Sequence, residues 1–474
     1  MSELLQCDIA IIGGGAGGLS VAAVAAQLGL SVVLAEANKM GGDCLNYGCI
    51  PSKSLIAAAR SARGFVSSAP FGIEPKTPNV DFKRVMEHVA NVINLISKND
   101  SVERFTTLGV NVINAHAEFI DEKTIQAAHT LIQARKIVIA SGSKPSVPLI
   151  PGLDSVSYLT NETIFTLCEK PSHLIVIGAG PIGCELAQAF CLLGIKVTLI
   201  DAMRMMPHDE PDLVDQLREQ FIWDGITLYE HHQITRVKNS DNGVDVFIEH
   251  QEKQHTIHGS HLLVATGRCP NITGLALEKA GIVYTLQGIT VSPRLRTTNK
   301  RVYAIGDAAG GYQFTHIANY HAGIVIQNII FKIPSKVDYR SIPWVTYTTP
   351  ELAHSGLTAG EALKTYKDAR VISLPFGDND RARTEHMTIG NIKVIVTKKG
   401  KILGCSILGE HAGELIIPWI MLIKEGKSLR HLTALIIPYP TLSEVSKRIA
   451  SEFYAPKLFS DTVRRVVRFL KYLG

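Results

Sequence analysis

A short apolar run, three glycines spaced Gly-x-Gly-x-x-Gly, an apolar stretch of helical length, a second apolar run and then an acid occur twice in this chain. In the first copy residues 7–12 precede Gly13, Gly15 and Gly18, followed by a predicted helix to about Leu28, a strand at 31–34 and Glu36. In the second, residues 174–177 precede Gly178, Gly180 and Gly183, a predicted helix to about Leu193, a strand at 196–200 and Asp201. In both copies the acid stands eighteen residues after the third glycine. Such a βαβ unit lets backbone approach a pyrophosphate, faces it with a helix N-terminus and offers the acid to a ribose hydroxyl. A lone glycine triplet carries little weight. Two complete units predict two separate α/β domains, each binding a dinucleotide. They also explain residues 9–35, an uncharged stretch that hydropathy alone could take for a membrane span.

At 474 residues the chain is too long for one core, and two to four domains are expected. Residues 81–108 have helical periodicity, and 110–140 alternate as strands do. Pro145, Pro148, Pro151 and Gly152 mark a linker, and residues 267–273 a second. Residues 301–307 read as a strand ending in Gly306-Asp307, whose carboxylate could take a cofactor hydroxyl. From residue 342 the pattern becomes strands, such as 391–397 and 402–408, followed by helices, an α+β domain with no nucleotide motif of its own.

Cys44 and Cys49 lie in the run Gly-Gly-Asp-Cys-Leu-Asn-Tyr-Gly-Cys-Ile-Pro-Ser-Lys at 41–53. Five residues of regular helix advance about 7.5 Å, more than a disulfide spans, so pairing these cysteines requires irregular backbone, which Gly48 and its neighbours can supply. Pro51 suits the first turn of a helix starting near Cys49. A thiolate at Cys49 would then sit at that helix's positive end, with Lys53 on the same face. Four intervening residues is unusual for zinc and no second pair follows, so a redox disulfide is expected over a metal site or two unrelated thiols. The other six cysteines, Cys7, Cys168, Cys184, Cys191, Cys269 and Cys405, have no pairing logic and are expected as small core residues. Cysteines without a framework spacing, and no recognisable signal segment, favour a reducing compartment, the cytoplasm. Formal charge is +5, and residues 457–474 alone hold five basic residues against one acid. The remainder is near neutral and shows no basic stripe for nucleic acid.

These motifs in this order resemble the flavin-dependent pyridine nucleotide-disulfide oxidoreductases, the family of dihydrolipoamide dehydrogenase, glutathione reductase and mercuric reductase. The resemblance extends to about residue 455 and implies an α/β fold with two Rossmann-like domains and a C-terminal α+β dimerisation domain. It divides the chain into a first FAD-binding part at 1–148, an NAD(P)-binding domain at 149–270, a second FAD-binding or central part at 271–341, a dimerisation domain at 342–455 and a basic helix at 456–474. It assigns Gly13, Gly15, Gly18, Glu36, Gly42, Lys53, Gly142 and Asp307 to FAD, and Gly178, Gly180, Gly183, Asp201 and Gly267 to the nicotinamide dinucleotide. Asp201 would repel a 2′-phosphate, which favours NADH; Arg204 leaves NADPH open. The resemblance further implies electron flow from NAD(P)H through flavin to the Cys44–Cys49 disulfide and then to a disulfide, quinone or soft metal ion. Cys49 would face the flavin and Cys44 the substrate, while Lys53 would pair with Glu185. The plainer reading of Glu185 is a first-turn acid suited to its helix dipole.

Disulfide-reducing members carry a catalytic histidine before a Pro-Thr-Leu-Ser-Glu-like run. Here Tyr439 precedes Pro440, Thr441, Leu442, Ser443 and Glu444. To serve as a base near neutral pH, a tyrosine would need its pKa lowered by roughly three units, about 4 kcal/mol. A neutral phenol beside a soft metal ion is easier, and tyrosine here resembles the mercuric reductase-like members. Glu444 is either catalytic or one half of a Thr441-x-x-Glu444 capping box. Mercuric reductases also carry a C-terminal cysteine pair, which residues 469–474 lack, and many carry an N-terminal metal-binding domain, whereas this sequence starts at the FAD strand. The runner-up activity is dihydrolipoamide dehydrogenase; a low-turnover redox sensor or scaffold recruited by the tail is an alternative of another class. A homodimer is implied, with Tyr439 of one protomer delivered to Cys44 of the other. From residue 457, Phe459, Val463, Val466, Val467, Leu470 and Leu473 recur at helical spacing, with Arg464, Arg465, Arg468 and Lys471 on other faces. That helix is expected to pack on the dimer, or else to touch a membrane's inner face or a membrane protein. His231-His232 and His316 are left outside the site, as a solvated loop and a packed helix.

Overall fold

A computed structural model describes residues 3–472 of the chain. The first glycine unit forms the centre of a seven-stranded sheet, in which Glu3–Ile12 pairs in parallel with Val32–Glu36 on one side and Thr130–Ile139 on the other. Val302–Ala304 returns from beyond the second glycine unit and pairs in parallel with Thr130–Ile139. Ile9, Ile11, Leu34 and Ile137 are fully or almost fully buried, as strands covered on both faces require. Ala16–Gln27 packs against Thr315–Ile329 over one face of this sheet.

The second unit forms its own four-stranded parallel sheet from Thr227–Tyr229, Lys196–Ile200, His173–Ile177 and His261–Val264. A three-stranded antiparallel sheet from Gln233–Ser240, Gly243–His250 and Lys253–Gly259 accompanies it. The stretch at 81–108 is two helices, Phe82–Ser97 and Val102–Thr107, joined by a short 3₁₀ turn. The two stretches read as linkers are not loose, because Ser143–Pro145 and Arg268–Pro270 pair with each other as an antiparallel ribbon. The strand expected at 301–307 is shorter, Val302–Ala304, and Gly306-Asp307 opens a 3₁₀ turn, Gly306–Ala309.

The C-terminal region is a five-stranded antiparallel sheet with helices on it, including Asn391–Thr397 and Ile402–Gly409. It is tied to the second dinucleotide unit by Trp344 Nε1 donating to Asp209 at 2.8 Å and by Lys393 meeting Glu210 at 3.0 Å. Arg60 bridges to Glu351 at 2.8 Å, fixing the helix after the cysteine pair to the same sheet. Burial pushes the Asp209 carboxyl up, to about 6, against the Trp344 hydrogen bond.

Two further local expectations change. The tail is not one helix from residue 457: Glu444–Leu458 ends at Phe459, and Ser460 caps a separate helix, Asp461–Leu470, by accepting from Val463 N–H. Leu473 and Gly474 lie outside the described residues. Cys7, Cys184 and Cys405 are buried as expected, but Cys191 and Cys269 are half-buried and Cys168 is exposed. No described helix is long and apolar enough to cross a membrane; residues 9–35 are strand, turn, helix and strand.

Candidate active site

Cys44 belongs to a one-turn helix, Gly42–Asn46, and Cys49 begins a long one, Cys49–Val66. Between them Tyr47 and Gly48 leave helical geometry, Gly48 at φ −123° and ψ −109°, which supplies the irregular backbone the spacing demands. Both cysteines are half-buried thiols in this structure. The neighbouring Cys44 thiol pushes Cys49 down, to about 6, against the burial that opposes charge there. The nearness of Cys49, together with burial, pushes Cys44 far up. Cys49 is therefore the sulfur prepared to carry charge. Thr315 Oγ1 lies 3.3 Å from Cys49 Sγ and further lowers it, as does the charge of Lys53.

Lys53 Nζ meets Glu185 Oε2 at 2.7 Å and lies 4.5 Å from the centre of the Tyr347 ring. Tyr347 N–H donates to the other Glu185 oxygen at 2.9 Å. Burial works against the Lys53 charge, but Glu185 outweighs it and holds the ammonium above its ordinary pKa. Glu185 is the fifth residue of its helix, Pro181–Leu192, and no acid occupies the first turn, so the helix-dipole reading of Glu185 does not hold.

The two glycine units repeat each other closely. Gly13 and Gly178 have φ of +107° and +105°, and a Cβ on them would lie 2.3 Å from Ala140 O and 2.4 Å from Ala265 O. A Cβ on Gly18 or Gly183 would lie 1.9 or 1.8 Å from the carbonyl oxygen of the first glycine. Gly15 and Gly180 are the helix N-caps. Glu36 accepts from Gly14 N–H at 2.5 Å and Asn38 N–H at 2.7 Å; Asp201 accepts from Ala179 N–H at 2.6 Å and Met203 N–H at 2.7 Å. Two of the Arg204 guanidinium nitrogens, Nε and Nη2, are closed off from solvent without a partner among the described residues.

A cleft of about 1190 Å³ runs from the first unit to the cysteines. It is larger than the ~300–1,000 Å³ of ordinary small-ligand pockets, as a dinucleotide requires. Gly13, Gly15, Glu36, Gly42, Cys44, Cys49, Lys53, Gly142, Glu185, Gly267 and Asp307 line it together. A Cβ on Gly42 would lie 2.7 Å from Gly15 Cα, so the cysteine loop sits directly on the first glycine turn. The cradle and the length of the cleft fit FAD, which the first glycine turn, Glu36 and Asp307 would hold. Burial raises the Asp307 carboxyl although Ser143 Oγ donates to it at 2.5 Å. Gly18, Gly178, Gly180, Gly183 and Asp201 are not in this cleft's lining; Pro181 and Ile182, which follow the second glycine turn, are.

Tyr439 and Glu444 are not brought to it either. Tyr439 is 70 % exposed, and its hydroxyl donates to Asp380 Oδ2 at 3.2 Å. That bond pushes the phenol further up, away from use as a base. Thr441 and Glu444 form no capping box: Thr441 Oγ1 donates to Pro438 O at 2.9 Å, and Ser443 is the helix N-cap without a side-chain bond.

Sequence reasoning passed over several residues gathered here. Thr315 opens the helix Thr315–Ile329; His316, expected outside the site as part of a packed helix, is instead exposed and lines the cleft with Nε2 2.9 Å from Pro343 O. Asp43, beside Cys44, pairs with Arg268 at 2.9 Å and accepts from Asn161 Nδ2 at 3.2 Å, so the second connection and the segment after the first hold the cysteine loop. The signal that could have found Asp43 is a charge placed next to a redox cysteine. Nothing local marks Tyr347.

Replacing Thr315 by valine removes a hydroxyl that donates to a Cys49 thiolate. Hydrogen bonds to charged groups are worth about 1.5–3 kcal/mol, so the pH midpoint for Cys49 is expected to rise by about one to two units. Iodoacetamide labelling of the reduced protein across pH, read at the Cys49 peptide, checks this; an unmoved midpoint would show the contact to be idle.

The Pyridine nucleotide-disulphide oxidoreductase profile matches residues 7–322, and the dimerisation-domain profile of the same name matches 342–450. A mercuric reductase of Staphylococcus aureus is 33% identical over 450 residues, covering 94% of this chain and 82% of the relative. A dihydrolipoyl dehydrogenase of Bacillus subtilis (strain 168) is 31% identical over 453 residues, covering 92% and 96%. Among solved structures, the HOCl-induced flavoprotein disulfide reductase RclA of Escherichia coli, in its Cu(II) complex, superposes with a TM-score of 0.85 at 29% identity, covering 94% of this chain and 99% of RclA. With both profiles together spanning most of its length, and with a cysteine pair, an ion pair and two glycine cradles in one arrangement, this chain belongs to the pyridine nucleotide-disulphide oxidoreductase family.

Proposed function

We propose that this enzyme is an NADH-dependent FAD flavoprotein that passes electrons through Cys44–Cys49 to a soft metal ion rather than to a lipoyl disulfide. The observation that carries the choice of acceptor is Tyr439, in place of a histidine, with its hydroxyl committed to Asp380. Reducing a disulfide by exchange requires protons to be moved onto leaving thiolates. A phenol whose pKa is pushed upward by a neighbouring carboxylate does this poorly. Reducing a thiolate-bound divalent ion needs no such shuttle. The mercuric reductase relatives and the Cu(II) complex of RclA fit the same preference.

Bound FAD supplies two-electron transfer between NADH and the disulfide. The chain's own part begins with Asp201, whose carboxylate suits a 2′-hydroxyl and repels a 2′-phosphate, which favours NADH. Cys49 carries the thiolate charge under Thr315 and Lys53, and Cys44 holds the proton and faces the acceptor. The dimerisation domain makes the functional unit a homodimer. Tyr439 lies outside the cleft of its own chain, which suits its delivery to Cys44 across that dimer.

Anaerobic NADH oxidation by the purified protein tests the reading, with oxidised lipoamide and thiol-complexed mercuric or cupric ion as acceptors. The metal ions are expected to turn over and lipoamide to lag by about a hundredfold, the scale of general acid–base help. Tyr439→His is expected to recover at least about tenfold of the lipoamide rate. Vigorous wild-type lipoamide turnover would move the assignment to dihydrolipoamide dehydrogenase.

A further inference from the structure

The helix Asp461–Leu470 follows the last residue matched by the dimerisation profile, 450, and none of its residues is buried. Its side chains separate cleanly. Val463, Val466, Val467 and Leu470 fall within an arc of about 100°, while Arg464, Arg465, Arg468 and Lys471 occupy an opposing arc of about 120°. Three of the four residues of the apolar arc do not rest on their own chain, Val466 being 50%, Val467 57% and Leu470 55% exposed, while Val463 at its start is half-buried. Leu458 and Phe459, just before the helix, are exposed as well. A face that packed against the body of the chain would not leave these side chains half in water.

We propose that Asp461–Leu470 docks the enzyme on an anionic lipid bilayer, lying flat with the valines and Leu470 in the acyl boundary and the arginines among the headgroups. Charge complementarity selects this occupant. Four basic residues flank the apolar arc while Asp461, at the N-terminal end, is the only acid of the helix. An apolar stripe with basic flanks matches an interface that is apolar below and anionic above. Nucleic acid would leave the apolar arc in water. The break at Phe459-Ser460 lets the helix take its own angle rather than extend Glu444–Leu458. A helix of ten residues is a weak anchor alone, but a homodimer carries two, and joint engagement multiplies their affinity. The inference is independent of the acceptor proposed above.

Co-sedimentation of the full-length, FAD-loaded protein is the test, with vesicles of phosphatidylcholine alone and of two parts phosphatidylcholine to one part phosphatidylglycerol. The expected result is binding to the anionic vesicles, at least about tenfold weaker binding to neutral ones, and loss of binding as salt is raised. Val466→Asp/Leu470→Asp and, separately, Arg464→Glu/Arg468→Glu are each expected to lower binding at least about tenfold while FAD content, dimer mass and NADH oxidation stay unchanged. Wild-type protein that ignores anionic vesicles would overturn the proposal. So would a Val466→Asp/Leu470→Asp protein that binds as the wild type does, or one that becomes monomeric, which would show that the face belongs to a second copy.

Discussion

Serine at either Cys44 or Cys49 is expected to lower acceptor-dependent NADH oxidation at least ~10³-fold, and serine at both to lower it no further than either alone. The non-additivity follows from the chemistry. A disulfide is one two-electron group made of two atoms, so removing the first sulfur leaves nothing for the second to form. Geometry distinguishes the two variants in other respects. Cys49 lies 3.3 Å from Thr315 Oγ1 and under the Lys53 charge, whereas Cys44 has Asp43 as its neighbour. Cys44→Ser therefore keeps a hydroxyl to donate to the Cys49 thiolate and retains its acidic shift; Cys49→Ser leaves Cys44 as the remaining thiol, held up by burial and by the charge of Asp43. Steady-state kinetics of the three variants beside mass-mapped thiol labelling checks both statements. Strictly multiplicative losses would mean that the two thiols act separately.

The second large effect concerns the ion pair. Lys53→Met is expected to destabilise the protein by about 3 kcal/mol, because it strands a buried carboxylate. Glu185 is 7% exposed, and without Lys53 its remaining partner is Tyr347 N–H at 2.9 Å. Glu185→Gln is expected to be milder, since Lys53 retains 36% exposure toward the cleft and can be solvated there. Replacing both, as Lys53→Met/Glu185→Leu, is expected to recover most of the stability, because an apolar pair leaves no charge stranded. It does not recover chemistry: the charge beside Cys49 is gone, so turnover stays low. Urea unfolding of the three variants gives the order, and a double variant as unstable as Lys53→Met would show that the loss does not come from a stranded carboxylate.

What could be read in the sequence was whatever is decided within a few residues. The glycine turns are local: Gly13 and Gly178 need positive φ, and Gly18 and Gly183 have no room for a Cβ, so each unit declares itself wherever it falls. The cysteine loop is equally local. Thr315 and Tyr347 were not legible, because Thr315 meets Cys49 across 266 residues and Tyr347 meets Glu185 across 162. Short patterns also misled where two local solutions compete. Thr441 could cap the next helix, but its hydroxyl turns back to Pro438, and Ser443 takes the N-cap position. The apolar period of the tail continues through Phe459 and hides the break that Ser460 creates by capping a new helix. Glu185 reads as a first-turn acid only if its helix is taken to begin at Gly183; starting at Pro181 places it on the face that meets Lys53.

Electron flow to any acceptor requires Cys44 and Cys49 to be the pair that NADH reduces. The most direct measurement is alkylation mapping of the FAD-loaded protein before and after anaerobic treatment with excess NADH, with the chain unfolded at the labelling step so that burial does not matter. The predicted result is two sites protected before reduction and labelled after it, Cys44 and Cys49, with Cys7, Cys168, Cys184, Cys191, Cys269 and Cys405 unchanged. Labelling that NADH does not alter, or that appears at any other pair, would contradict it.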